Sequence, residues 1–293
     1  MSVFSAMALS TTCSAAISSA SLAAAADAPR EVKDVIYATV EGKALGLDLH
    51  LPAGVKQPPL LVWVHGGTWS AGSKDQYPAE FVEHGIAVAS LDFRQSTEAR
   101  FPANVQDIKA AIRFLRAKAS DYAYRADRIA IAGASSGAHL AALVGVTNGN
   151  KALEGTEGEY LKESSSVQAI VSYFGASNLN TILAQSTPFG LNVRKPALER
   201  LLGALPENAK DLATLASPVT HVDRSDPPLL LFHGDQDPQM PINQSHELQG
   251  ADLKAGLDVD FEVLHGAAHG GDAFFRGDAL ERAVKFLRRT LGA

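Results

Sequence analysis

One pentapeptide combines a nucleophile with flanking glycines: residues 133–137 read Gly-Ala-Ser-Ser-Gly. It follows the apolar run Ile129–Ala132 and precedes a helical pattern over His139–Val144. A serine on a tight turn between a strand and a helix is held with its hydroxyl exposed, and the glycines prevent collisions with the neighbouring strand and helix. This context predicts Ser135 as the nucleophile of an acyl-transfer reaction, and an ordinary βα loop is the alternative.

A serine hydroxyl is a poor nucleophile unless a base and an orienting acid accompany it. In such a fold the acid, and then the histidine, follow the serine along the chain. His269 lies in a glycine-containing loop after the last predicted strand and is the predicted general base, whereas His265 extends that strand and is predicted to be structural. Asp237, deep in the preceding loop before Pro238, is favoured as the acid over Asp235, whose alternative role is hydrogen bonding within a turn.

Acyl transfer also needs donors for the developing oxyanion, and a glycine-rich loop with that potential reads His-Gly-Gly-Thr-Trp at 65–69. Three backbone N–H groups are predicted to form the oxyanion hole, those of Gly66, Gly67 and Ser136. His65 is predicted to support this loop through hydrogen bonds. Trp69 is predicted to bind substrate as a wall of the pocket, with simple packing of the loop as an equal alternative.

Other chemistries fit these residues poorly. Ser73 precedes Lys74, which inverts the order of a phosphate-binding P-loop. His233 and Asp235 with Asp237, or His269 with Asp272, lack a tight zinc-type spacing, and the triad explains them better. We therefore predict no metal and no organic cofactor.

The elements that must position these residues are short continuous apolar runs separated by helical patterns. Such runs indicate strands buried on both faces of a parallel sheet. A starting hairpin over 35–40 and 45–51 precedes them, and the runs are Leu60–Val64, Ile86–Leu91, Ile129–Ala132, Val167–Phe174 and Leu229–Phe232. Val259–Leu264 is the last strand candidate. The alternation predicts one doubly wound α/β domain, and Leu280–Leu287 is predicted as its closing helix.

Two further segments have distinctive patterns. In the helix after the fourth strand, one apolar stripe lies opposite three basic residues, Lys109, Arg113 and Arg116. The polar segment 178–217, interrupted by prolines, is predicted to form a small cap or lid over the site, with a surface excursion as an equal alternative.

Composition excludes several classes of protein. The 293 residues are 46% hydrophobic and 20% charged, as in ordinary globular proteins and unlike a disordered or fibrous chain. The net charge of −6 offers no basic surface for nucleic acid, and no apolar run is long enough to span a membrane. The oligomeric state stays open.

Residues 1–26 lack charged side chains and end in Ala24-Ala25-Ala26, as a signal peptidase requires. This pattern predicts a signal peptide over 1–26, a catalytic domain over 27–293 and a periplasmic or secreted protein. A disordered Ala/Ser leader is the alternative.

Together the motifs resemble the α/β-hydrolase superfamily, within it the esterase/lipase group related to hormone-sensitive lipase and to bacterial feruloyl and acetyl xylan esterases. The resembling stretches are His65–Trp69 with Gly72–Lys74, Phe101–Ala103, Asp127–Ile129, Asp226–Pro228 and His233–Pro238. The resemblance implies a cofactor-free serine hydrolase acting on a small-molecule or polysaccharide-linked ester, with acetyl, other short-chain or hydroxycinnamoyl acyl groups. It also implies the triad Ser135, Asp237 and His269. A stretch Ser-x-Gly-Ala-His-Leu also resembles kynurenine formamidase, so an arylformamidase is the alternative, and a non-catalytic binding protein a third.

Overall fold

The apolar runs form the core of an eight-stranded sheet in the computed structural model, which describes residues 28–292. The predicted signal peptide lies outside the described residues. The spatial order of the strands is β1-β2-β4-β3-β5-β6-β7-β8. In chain order they are β1 Arg30–Val40, β2 Lys43–Leu51, β3 Leu60–Val64, β4 Ala87–Leu91, β5 Ile129–Ala134, β6 Ala169–Tyr173, β7 Leu229–Gly234 and β8 Val259–Leu264.

Strands β3 to β8 pair in parallel, whereas the starting hairpin β1–β2 and its junction with β4 are antiparallel. Alternate residues of β3 serve opposite faces: Val62 joins one hydrophobic core and Trp63 the other. This burial on both faces explains why the strands read as continuous apolar runs. The predicted α/β-hydrolase fold is confirmed.

Helices cover both faces of the sheet. In chain order they are α1 Glu80–Glu83, α2 Ala103–Ala117, α3 Ala119–Tyr122, α4 Ser136–Gly145, α5 Lys151–Glu154, α6 Ile182–Gln185, α7 Pro188–Leu202, α8 Lys210–Leu215, α9 Asn243–Ala255 and α10 Gly277–Leu291. Leucine and isoleucine side chains of α2 and α4 pack in one core, and those of α10 in the other. Among residues 28–292, none of the helices has the length and apolar character needed to cross a membrane.

The basic face of α2 is not a solvated face. Lys109 and Arg113 are fully or almost fully buried because residues after α4 fold back across them. Both side chains pair with Glu154, at 3.0 Å and 2.9 Å, and the Lys109 ammonium also donates to the carbonyl of Thr147. A position opposite the apolar stripe of α2 therefore does not make these two residues exposed.

Candidate active site

Ser135 occupies a strained turn between β5 and α4. Its backbone has φ 55° and ψ −120°, a conformation rarely adopted by non-glycine residues and one that costs energy to hold. The adjoining glycines leave no room for a side chain. A Cβ on Gly133 would lie 2.5 Å from the backbone of Gly137, and one on Gly137 would overlap the carbonyl oxygens of Val64 and His65. The sharp turn therefore depends on these two glycines.

Loops after β7 and β8 bring an aspartate and a histidine to the same edge of the sheet. His269 Nε2 lies 2.9 Å from Ser135 Oγ, and its Nδ1 lies 2.6 Å from Asp237 Oδ2. Because a carboxylate only accepts, Nδ1–H donates to Asp237, which leaves the Nε2 lone pair to accept the Ser135 hydroxyl. The structure thus brings together Ser135, Asp237 and His269 in a continuous hydrogen-bonded chain.

The carboxylate of Asp237 is buried and fully hydrogen-bonded. Its Oδ1 accepts the backbone N–H groups of Gln239 and Met240 at 2.8 Å and 2.9 Å. Burial by itself would raise the pKa of Asp237, but donors from His233 and His269 together with these amides hold that pKa well below its usual range. The acid is therefore ionised and fixed in orientation.

Asp235, the competing candidate acid, pairs with a different histidine. Its carboxylate accepts from His265 Nδ1 at 2.8 Å and from the backbone N–H of Gly266 at 2.8 Å. The His265 side chain is 87% exposed. This pair ties the loop after β7 to the loop that carries His269, which gives both residues a structural role in the site.

His233 is a further part of the site, and its sequence position does not reveal this role. Its fully buried ring lies beneath the acid, with Nε2 3.0 Å from the carbonyl of Met240 and 3.4 Å from Asp237. Nδ1 accepts the hydroxyl of Ser245 at 2.7 Å. The spacing of His233 and Asp237 gave a signal of proximity, but only the folded loop shows that the ring supports the acid.

The glycine-rich loop lies directly against the serine turn. A Cβ on Gly66 would come within 2.9 Å of the Ala134 carbonyl oxygen and 3.5 Å of Ser135 Cβ. Gly67 follows with φ 117°, which favours glycine. Ser136 is the first residue of α4, so its N–H has no acceptor within that helix. These three predicted donors therefore lie on the two segments that flank Ser135.

His65 supports this loop from behind, where it stacks on Phe93 with ring centroids 4.6 Å apart. Its Nδ1–H donates to the carbonyl of Gly66 at 2.7 Å. Burial lowers the pKa of His65, so the ring stays neutral.

Trp69 does not form a wall of the pocket, which corrects the prediction. Its side chain is 1% exposed and its indole Nε1–H donates to His139 Nδ1 at 3.0 Å, behind the loop. The indole packs edge-on against the ring of His139 in α4, with centroids 5.3 Å apart, and the backbone at Trp69 has φ 59°.

A cavity of about 650 Å³ opens over Ser135 and His269. Its aromatic lining comes from Trp63, Tyr77, Phe174 and Phe275. Its polar lining includes Gln76, Glu80, Gln239, Asp272 and Arg276. The Phe174 ring also contacts His269, with centroids 4.8 Å apart. The cavity wall therefore combines apolar and hydrogen-bonding side chains.

Segment 178–217 is not a lid over this cavity, because none of the described lining residues comes from it. It contains α6, α7 and α8 and packs beside the site. A Cβ on Gly190 would lie 3.0 Å from the Gln239 carbonyl, and Thr187 Oγ1 donates to the Pro238 carbonyl at 2.7 Å. The segment therefore supports the loop that carries Asp237. Prolines and polar residues marked it as an insertion but could not show which side it covers.

Among residues 28–292, no group of three or more histidine, cysteine, aspartate or glutamate side chains is arranged to hold a metal ion.

The sheet, the serine turn and the aspartate and histidine on the following loops define an α/β-hydrolase. The chain matches the BD-FAE family model over residues 47–251 and belongs to that family. Esterase LipQ of Mycobacterium tuberculosis is 32% identical over 224 residues, which are 74% of this chain and 51% of LipQ. Isoprenylcysteine alpha-carbonyl methylesterase ICME of Arabidopsis thaliana is 30% identical over 234 residues, 76% of this chain and 53% of ICME. The chain thus spans about half the length of these curated relatives.

Solved structures agree with this placement. A truncated carbohydrate esterase from gut microbiota is similar with a TM-score of 0.81 and 30% identity, covering 92% of this chain and 98% of that one. Esterase Est2 of Thermogutta terrifontis is similar with a TM-score of 0.71 and 26% identity, covering 90% of this chain and 92% of that one. The relatives found by sequence similarity and those found by structural similarity are thus both named as esterases.

Proposed function

We propose that this protein is a carboxylic ester hydrolase that works through Ser135, His269 and Asp237. The observation that carries the proposal is the chain of hydrogen bonds from Ser135 Oγ to His269 Nε2, at 2.9 Å, and from His269 Nδ1 to Asp237 Oδ2, at 2.6 Å, on the floor of an open cavity. Membership of the BD-FAE family and the esterase relatives support it.

In this mechanism Ser135 Oγ attacks the ester carbonyl carbon while its proton passes to His269 Nε2. The tetrahedral intermediate then collapses, the carbonyl carbon–alkoxy oxygen bond breaks, and His269 gives the proton to the leaving alcohol. Water, deprotonated by the same nitrogen, hydrolyses the acyl-enzyme and regenerates the serine. Asp237 stays ionised throughout, holds the ring in one tautomer and stabilises the imidazolium.

Backbone N–H groups stabilise the tetrahedral oxyanion in our proposal. Gly66 and Gly67 supply them from the loop that abuts Ser135, and Ser136 from the first residue of α4. The glycines matter because a side chain at either position would collide with neighbouring backbone atoms.

We propose short-chain acyl esters and aryl esters, including acetyl and hydroxycinnamoyl groups on a polysaccharide, as the substrates. Aromatic walls from Trp63, Tyr77 and Phe174 suit an acyl group, and polar side chains such as Gln239 suit a sugar alcohol. Two relatives support this class. Est2 structures exist with propionate and with butyrate bound, each 25% identical to this chain, and the gut relative is named a carbohydrate esterase.

Hydrolysis of p-nitrophenyl acetate, butyrate and octanoate, with Ser135→Ala alongside, tests the proposal. We expect Ser135→Ala to lower kcat by about 10⁶-fold, as in other serine hydrolases that lose the nucleophile. Release of acetate or ferulate from plant polysaccharides then tests the natural substrate.

Ser90 provides a matched control. Its hydroxyl lies 3.3 Å from His50 Nε2, and Nδ1 of that ring lies 3.0 Å from Glu31. The residue types are thus those of a triad, but Ser90 is fully buried and no substrate reaches it. We expect the Ser90→Ala variant to hydrolyse the p-nitrophenyl esters as fast as the unsubstituted protein. Full esterase activity in Ser135→Ala would refute the proposed nucleophile, and turnover of N-formylkynurenine well above that of every ester would point to an arylformamidase.

A further inference from the structure

His139 lies at the centre of a hydrogen-bonded chain that the catalytic mechanism does not use. The residue follows the nucleophile by one turn of α4, where its backbone N–H donates to the Ser135 carbonyl at 3.1 Å. Its side chain is fully buried. Nδ1 accepts from the Trp69 indole at 3.0 Å, and Nε2 lies 2.7 Å from the carbonyl of Ala216.

These partners determine the protonation of the ring. The indole only donates and a backbone carbonyl only accepts, so the ring must carry its proton on Nε2 and keep a lone pair on Nδ1. Burial lowers the pKa of His139 to about 4, outweighing the opposing hydrogen bond to Ala216, so the ring is neutral where esters are commonly assayed. Neither hydrogen-bonding position of the ring is left without a partner.

These hydrogen bonds of His139 join three parts of the site. Trp69 ends the glycine-rich loop, His139 belongs to the nucleophile helix, and Ala216 closes α8 in segment 178–217. Helix ends leave carbonyl groups without partners, and His139 satisfies one of them.

The loop needs such an anchor because its backbone is strained. Thr68 and Trp69 both have positive φ, 54° and 59°, although neither is glycine. Such conformations persist only when tertiary contacts hold them. Beyond the indole bond, the Trp69 carbonyl accepts the backbone N–H of Ser96 at 2.7 Å.

We propose that His139 is a positioning residue that holds the glycine-rich loop, through Trp69, in the geometry that stabilises the oxyanion. This inference rests on the esterase function proposed above for the same site. Segment 178–217 then acts as a brace for the loop through the Ala216 carbonyl, in place of the lid expected from its sequence.

Trp69→Phe tests the proposal most directly, because it keeps a buried aromatic ring and removes the N–H donor, together with part of the indole volume. We expect kcat for p-nitrophenyl acetate to fall by about 10-fold while KM changes by less than about 3-fold, since the oxyanion forms after substrate binding. His139→Leu should lower kcat similarly. His139→Asn keeps an acceptor close to the Nδ1 position and should recover much of the activity that His139→Leu loses.

The double variant Trp69→Phe/His139→Leu separates positioning from folding. It removes the indole N–H donor and its imidazole acceptor together, so neither group is left buried without a hydrogen-bond partner. We therefore expect the Tm of the double variant to be higher than that of His139→Leu. Its kcat should stay low. Tyr124→Phe is the matched control, because it removes a buried hydroxyl bonded to the Leu115 carbonyl, remote from the cavity, and should lower Tm without lowering kcat.

A kcat within about 2-fold of the unsubstituted enzyme in Trp69→Phe would overturn the proposal. Recovery of kcat together with Tm in the double variant would also overturn it, because the activity loss would then reflect unfolding. Failure of the esterase function itself looks different: the unsubstituted, folded protein would hydrolyse none of the p-nitrophenyl esters, and both proposals would fall.

Discussion

Replacing Asp237 by asparagine should inactivate the enzyme by reversing the tautomer of His269. The structure dictates how the new amide must lie. The N–H groups of Gln239 and Met240, at 2.8 Å and 2.9 Å from Oδ1, require an oxygen at that position. The amide NH₂ must then face His269 Nδ1 in place of Oδ2. Two donors cannot face each other, so Nδ1 loses its proton, Nε2 gains one, and the base for Ser135 is lost.

The expected loss in kcat is about 10⁴-fold, the size found when a serine protease triad suffers the same exchange. Stability should also fall by about 2 kcal/mol, because a charge-assisted hydrogen-bond acceptor is lost. The pKa of Asp237 is depressed in the folded protein, so its contribution to stability is present above the ordinary aspartate pKa and disappears as the pH falls through the depressed value. The stability difference between Asp237→Asn and the unsubstituted protein should therefore be full at neutral pH and shrink in strong acid.

Steady-state hydrolysis of p-nitrophenyl acetate and urea unfolding measure these two effects. Asp235→Asn is the control, since its carboxylate binds His265 and the Gly266 amide, and we expect it to lose less than about 10-fold in kcat. Near-normal kcat in Asp237→Asn together with a large loss in Asp235→Asn would refute the reasoning and exchange the two aspartates.

Two further predictions concern stability. Burial and the neighbouring charge of Asp226 raise the pKa of Asp252 to about 7, so stability falls as the pH rises from the ordinary aspartate pKa through that value. Asp252→Asn should therefore stabilise the protein by about 2 kcal/mol more at about pH 8 than at about pH 5, measured by urea unfolding, and a gain equal at both pH values would contradict the assigned pKa. Gly137→Ala should destabilise the fold by about 3 kcal/mol or more, because its methyl group would overlap the Val64 and His65 carbonyls. Gly250→Ala is the matched control, because Gly250 lies on the exposed face of α9, where a Cβ meets nothing within 4 Å, and this change should raise stability by about 1 kcal/mol. Thermal unfolding measures both variants. If steric overlap were irrelevant, the two variants would change the free energy of unfolding in the same direction.

Local patterns in the sequence predicted much of the fold. The run Leu60–Val64 coincides with β3, because a strand buried on both faces must be apolar throughout. The last strand candidate, Val259–Leu264, coincides with β8, a partly exposed strand at the edge of the sheet that carries Asp260 and Glu262. The Gly-x-Ser-x-Gly motif predicted the serine turn because only glycine leaves enough room for the neighbouring backbone at these two positions. Chain order then pointed to Asp237 and His269, which the structure brings to Ser135. Their catalytic roles, and the export expected from residues 1–26, stay predictions.

Other features depend on contacts between distant parts of the chain, and only the tertiary structure decided them. Nothing in the sequence around Trp69 reveals whether its side chain faces the cavity or His139. Its backbone has a positive φ, and its hydrogen-bond partner is 70 residues away. Lys109 is buried on α2 through its pairing with Glu154, 45 residues away. Segment 178–217 reads as a lid, yet its packing against Pro238 and His139 makes it a brace. Sequence determines which residues can do chemistry and which strands carry them, because both follow from residue type and local periodicity. The direction in which a loop turns its side chains follows from long-range packing, which no local pattern contains.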